Sequence, residues 1–194
     1  LTAAFVLLSL FLVLNLAILI SNGIRIGGDS PRYLSGAANV LRGLSLEGKQ
    51  ISYLGYVAVI AFCQRTGFGL PGVIAIQLVL AALAAAALYD LGRRLLDRRA
   101  GLMAAGLFVA NPDIARWHAF ILTDSLYISL VSLAVWGVHT AALRRKRYWY
   151  ILAVALLIAA AMVRPNGLML IAVSVLYLVS RATSRKRLRW LIVS

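Results

Sequence analysis

The chain has 194 residues, of which 62% are apolar and 13% charged, against about 45–50% and about 25% in a soluble domain. Lys and Arg outnumber Asp and Glu by 20 to 6, for a net charge of +14. So few polar residues cannot cover so much apolar surface in water, which excludes a soluble enzyme, a disordered tail and a nucleic-acid-binding module. Cys63 is the lone cysteine, so neither a disulfide framework nor a Cys-based metal site is available. The composition predicts an all-α, polytopic helical membrane protein.

The first apolar run, residues 1–20, is broken only by Thr2, Ser9 and Asn15. At 1.5 Å per residue, about 20 residues cross a hydrocarbon core roughly 30 Å thick. The run lacks a basic leading region and a small-residue cleavage site, so it reads as a span and not a signal peptide. A mixed stretch follows, residues 21–69, with signs of two short helices. Ser30-Pro31 reads as an N-cap followed by Pro at the first helical position. Leu34, Ala37, Ala38 and Leu41 then recur at i, i+3, i+4 and i+7, and Gly43 is a natural stop. This helix is expected to lie on the membrane surface. Residues 51–63 form a second apolar piece, of a length suited to an interfacial or re-entrant segment.

The second span is residues 70–88, followed by Arg93, Arg94, Arg98 and Arg99. Residues 100–110 are a third run, interrupted at Asn111-Pro112. Residues 125–143 are the fourth, ending in Arg144-Arg145-Lys146-Arg147. Residues 149–163 are the fifth, ending in Arg164-Pro165-Asn166-Gly167. Residues 168–180 are the sixth, followed by Arg181, Arg185, Lys186, Arg187 and Arg189. Residues 190–193 read as the start of a seventh. Spans three and six are short, which implies tilt, helix continuing past Pro112, or ends sunk into a protein-lined cavity.

The loops after spans two, four and six hold 13 of the 20 basic residues. By the positive-inside rule these loops and the N-terminus are cytoplasmic. The outer loops, 21–69 and 111–124 above all, then carry Asp29, Glu47, Asp113 and Asp124, four of the six acids. Chemistry is expected on that outer face.

Asp29 follows Gly27-Gly28 and precedes the helix start, where the dipole and free N–H groups favour a carboxylate. It reads either as a helix cap or as a base for a hydroxyl acceptor. Thr123 and Asp124 are candidate caps of span four. Asp124 also borders a long apolar run, where an ionisable group is costly unless paired or wetted. Arg116 and His118 are expected within reach of it. Trp117 and Tyr127 suit either a sugar-stacking surface or an ordinary interfacial belt.

One order of motifs then stands out. Gly28-Asp29-Ser30-Pro31-Arg32-Tyr33-Leu34 is followed by Gly43, Tyr53-Leu54-Gly55-Tyr56, and Leu88-Tyr89 with Arg93-Arg94. Asn111-Pro112, Leu122-Thr123-Asp124-Ser125-Leu126 and Arg164-Pro165-Asn166-Gly167 complete the series. This order resembles the N-terminal half of a GT-C fold glycosyltransferase. The relatives are the family 39-like group that includes protein O-mannosyltransferases and the lipid A aminoarabinose transferase. Residues 1–194 then read as one transmembrane module of a longer chain.

The resemblance implies a membrane glycosyltransferase, hexosyl- or pentosyl-transferring, that uses a polyprenyl-phosphate-linked sugar. The acceptor would be a lipid, glycan or protein hydroxyl at the outer face of the plasma (inner) membrane. Membrane lipids are the other expected partners, and nucleic acid is not one. Asp29 matches the family's catalytic base. Asp124 matches a carboxylate that positions substrate or, in some relatives, a divalent cation such as Mg or Mn. Arg116, Arg164 and His118 are the candidates to hold the donor phosphate, with Tyr33 and Tyr56 as further substrate-binding residues. Many relatives carry Asp-Glu in the first loop, where this chain has Asp29-Ser30. The alternative reading is a transporter or flippase-like protein without covalent chemistry. Against it stand the lack of inverted repeats and the placing of the acids on one side.

Overall fold

The computed structural model of the chain describes residues 2–193, and the side-chain surroundings of residues 5–181. In chain order the helices are α1 (Thr2–Asn22), α2 (Ser30–Leu41), α3 (Leu54–Arg65), α4 (Gly69–Leu95) and α5 (Arg98–Ala110). α6 (Pro112–Trp117), α7 (Thr123–Arg144), α8 (Arg147–Val163) and α9 (Gly167–Val193) complete the set. A 3-10 turn, Gly48–Tyr53, leads into α3. Among the described residues there is no strand, and the fold is an all-α membrane protein.

Each apolar run from residue 70 onward lies within one helix, while the run 51–63 starts in the 3-10 turn and continues into α3. α1, α4 and α7 are long and apolar enough to cross a membrane, and α8 and 167–181 are shorter apolar helices. α9 runs unbroken to Val193, so residues 190–193, read as the start of a seventh span, are the last part of the helix that holds the sixth. The third run does not continue past Pro112. Asn111 is extended, and its Oδ1 accepts from the N–H groups of Asp113 and Ile114 to start α6 afresh. Pro112 explains this, because it disfavours the helical region for the residue before it.

α7 is the central helix. It packs on α4, α8 and α9, and α4 packs in turn on α5 and α3. α4 and α5 touch most closely at Gly92 and Gly101, where a Cβ on Gly101 would come within 2.5 Å of the Tyr89 carbonyl oxygen. α1 lies at the edge, against α5 and α6, and exposes Leu12, Val13, Leu16 and Ile20. Such an apolar surface belongs in lipid.

α2 ends as the sequence predicts. Gly43 takes φ 71°, Gly43 N–H donates to the Val40 carbonyl at 3.1 Å, and Leu44 N–H donates to that of Asn39 at 2.8 Å. Its start differs from the expectation. Asp29, not Ser30, occupies the N-cap position and makes no side-chain capping bond. Ser30 is the first helical residue and fully buried, because its hydroxyl is engaged elsewhere. Thr123 and Asp124 do not cap α7 either. Leu122 holds that position, and both polar residues lie in the first turn.

Candidate active site

Two loops distant in sequence are joined backbone to backbone. Arg25 N–H donates to the Ala119 carbonyl at 2.9 Å, and Ile121 N–H donates to that of Arg25 at 3.0 Å. Ser30 Oγ lies 2.7 Å from both the Gly27 and the Ile121 carbonyl oxygens and accepts from Gly27 N–H at 3.1 Å. The turn that presents Asp29 is therefore docked on the strip that leads into α7. Gly28 sits within it at φ 56°, a left-handed conformation that disfavours side chains. Ser30 could not serve as a cap because this non-local bond had claimed its hydroxyl.

A buried polar group supports the strip from below. Gln77 is fully buried on α4, and its amide donates to the carbonyls of His118 at 3.0 Å and Phe120 at 3.1 Å. It accepts from the Tyr56 hydroxyl at 2.8 Å. Asn15 of α1 donates to the Phe11 carbonyl, so its Oδ1 is free to accept from His118 Nδ1, 2.7 Å away. Burial pushes the His118 imidazole down to about 4, which holds it neutral at physiological pH. His118 is thus part of the scaffold under the loop.

Above this scaffold the ionisable groups meet. Tyr33 is buried on α2, with its ring edge-on to Tyr53 and Tyr56 at centroid distances of 5.2 and 5.3 Å. Burial raises its hydroxyl pKa; the neighbouring Thr123 lowers it, the Asp29 charge and Tyr53 raise it, and the Arg164 charge lowers it. One hydroxyl thus senses the first loop, the start of α7 and the end of α8. Burial likewise raises Tyr56, with the Tyr33 hydroxyl and the Asp124 charge adding to the effect.

Arg164 Nη1 donates to Asp124 Oδ1 at 2.7 Å, and its guanidinium lies 5.7 Å over the Tyr127 ring. Both partners are partly exposed, at 33% and 23%. The pairing meets the requirement that a carboxylate at this depth have a partner. Arg164 is extended at the end of α8, and Pro165 follows it. Gly55 of α3 allows the last turn of α8 to come close, since a Cβ there would lie 2.9 Å from the Met162 carbonyl carbon. Asp29 is half exposed and pairs with Arg32 at 3.1 Å.

Asp29, Tyr33, Tyr56, Asp124 and Arg164 are therefore gathered around one site. Arg116 is exposed on α6, and among the described residues it forms no ion pair. The sequence reading passed over Gln77, took Ser30 and Thr123 as helix caps, and noted Asn15 only as an interruption. A Gln inside a long apolar helix and an Asn inside another were the available signals, because polar groups at membrane depth need a partner. Among the described residues no three His, Cys, Asp or Glu side chains converge. With Asp124 Oδ1 bound to a guanidinium as well, the residues do not compose a divalent-cation site.

A family model described as dolichyl-phosphate-mannose-protein mannosyltransferase matches residues 54–194. The matched segment includes Asp124 and Arg164; Asp29 lies before it. No curated protein and no solved structure matches the chain.

Proposed function

The chain belongs to the dolichyl-phosphate-mannose-protein mannosyltransferase family and is a membrane glycosyltransferase of that type; on that premise we propose a specific reaction for it. A sugar moves from a polyprenyl-phosphate-linked donor to a hydroxyl of a lipid, glycan or protein acceptor. The observation that carries this reading is the docking of the Asp29 turn on residues 119–121, next to the Asp124–Arg164 pair.

Asp29 takes the acceptor's proton as the hydroxyl oxygen attacks the anomeric carbon. The bond from that carbon to the phosphate oxygen breaks, and its electron pair leaves with the phosphate, with inversion at carbon. The departing dianion needs a cation, and a guanidinium's planar fork suits phosphate oxygens. Arg164 supplies it. One of its five N–H groups is held by Asp124, which aims the others and leaves donors for the phosphate. Tyr33 lines the space between base and cation, and Tyr56 secures the floor through Gln77. Arg116, out on α6, meets the donor only at the rim, and His118 acts through the scaffold.

The charge distribution supports an extracytoplasmic site in the plasma membrane. The basic loops cluster at the ends of α4, α7 and α9, and the Asp29 loop lies at the other end of the bundle. The test is Asp29→Asn in the full-length protein, assayed for sugar transfer from a polyprenyl-phosphate donor. Turnover is expected to fall by about 10²–10⁴. Unimpaired turnover would remove Asp29 from the chemistry.

A further inference from the structure

A concavity lies toward the basic end of the bundle. α1, α4 and α5 leave a groove of about 260 Å³ between them, lined by Leu7, Phe11, Ala85, Ala86, Tyr89 and Ala105 among others. The alanines create it, since a longer side chain at 85 or 86 would fill the space. A water molecule would find almost no partner there, because the lining is apolar. In helices that face lipid, hydrocarbon is the natural filling.

The end of the groove nearest the basic loop is charged. Tyr89 closes that end, and the Arg93 guanidinium lies 5.9 Å over its ring. Arg94, Arg98 and Arg99 follow within the same turn. Asp90 pairs with Arg93 at 2.8 Å and with Arg94 at 2.5 Å, and Asp97 is occupied in capping α5. Four cations thus face two carboxylates, which leaves a surplus of positive charge where a headgroup would sit. We propose that this groove binds one acyl chain of an anionic phospholipid, whose phosphate rests against Arg93 and the start of α5. The leaflet is the one at the basic end, whichever side of the membrane that is. The polyprenyl donor is a poorer occupant, since its phosphate belongs with Arg164 at the opposite end.

Native mass spectrometry of the full-length protein in detergent, titrated with phosphatidylglycerol, phosphatidylcholine or polyprenyl phosphate, tests this. One phosphatidylglycerol should be retained at least about fivefold more tightly than phosphatidylcholine, the value of roughly one basic residue near an anionic headgroup. Ala86→Leu, at an exposed position the fold does not depend on, should weaken phosphatidylglycerol retention about tenfold by filling the groove. Sugar transfer should be unchanged in that variant. Arg93→Gln should narrow the preference over phosphatidylcholine by about fivefold while leaving a chain bound. Equal retention of the two phospholipids would overturn the proposal. So would phosphatidylglycerol retention indifferent to Ala86→Leu, or selective retention of polyprenyl phosphate that this variant abolishes. Failure of the full chain to retain any lipid would overturn it as well.

Discussion

The two ends of the bundle are built from the same ingredients, an aspartate, arginine and aromatic rings, and use them differently. At the basic end Asp90 is joined by Arg93 and Arg94 from its own helix and by Trp136 Nε1 at 2.9 Å. Its carboxylate is saturated, and most of that satisfaction is local, at i+3 and i+4. At the other end Asp124 and Arg164 come from different helices, 40 residues apart, and among the described residues Arg164 is the one hydrogen-bond partner of Asp124. The Asp90 carboxylate ties α4 to α7 through Trp136 and has little acceptor capacity left over. A long-range pair with spare donors depends on the fold for its geometry and can turn those donors to substrate.

Substituting the two arginines tests that contrast most strongly. Arg164→Gln is expected to lower transfer turnover by about 10²–10³, the scale of losing one donor to a developing anion. Arg93→Gln should leave turnover within about twofold, because Arg94 and Trp136 still hold Asp90. Equal losses in the two variants, measured in the same assay, would erase the distinction between the ends.

The scaffold below the candidate site comes next in size. Gln77→Leu leaves the His118 and Phe120 carbonyls and the Tyr56 hydroxyl without their partner, at about 1–3 kcal/mol per unsatisfied buried group. Thermal unfolding in detergent should show a loss of several degrees in Tm, with transfer falling in parallel. Little change in either would mean that the strip 118–121 does not depend on Gln77.

His118 makes the scaffold sensitive to acid. Its folded pKa, about 4, lies below the ordinary histidine value of 6.5. Between these two values the unfolded chain binds the proton and the folded chain does not. Stability is therefore full above about pH 6.5 and declines as pH falls toward 4, by on the order of 1–3 kcal/mol. His118→Gln should flatten that part of a Tm-against-pH curve. A slope unchanged by the substitution would assign the acid sensitivity to another group.

The smallest expected effect is at Gly55. Gly55→Ala forces α3 and the end of α8 apart by a few tenths of an ångström next to Arg164. Transfer should drop by about tenfold or less, with Tm lowered by only a few degrees, since overpacking typically costs about 1–3 kcal/mol. A variant that keeps full activity would show that Arg164 tolerates this displacement.

The helices were legible in the sequence because the length of an apolar run depends only on neighbours in the chain. So was the end of α2, where Gly43 and the repeat before it are local. The start of α2 was not, because Ser30's hydroxyl meets the Ile121 carbonyl 91 residues away. His118 looked like a cation for phosphate beside Arg116 and Asp124. Its bond to Asn15, 103 residues distant, draws it inward, where burial keeps it neutral. Asp29, Asp124 and Arg164 each stood out as charges near apolar sequence. That Asp124 and Arg164 form one pair follows from how α7 packs on α8, which no local pattern encodes.

The docking of Arg25 and Ser30 on residues 119–121 also sets an order in time. A ribosome makes the chain from its N-terminus, so the Asp29 turn reaches the membrane well before its landing strip exists. At about 5–20 residues per second, some 5–20 seconds separate Ser30 from Ile121. Throughout that interval the nascent protein carries its candidate base without the surface that orients it. If Asp29 acts as proposed, glycosyl transfer waits until residues 119–121 have been delivered and α7 begins to insert. Competence arrives late in biogenesis, with the closing of one short backbone latch.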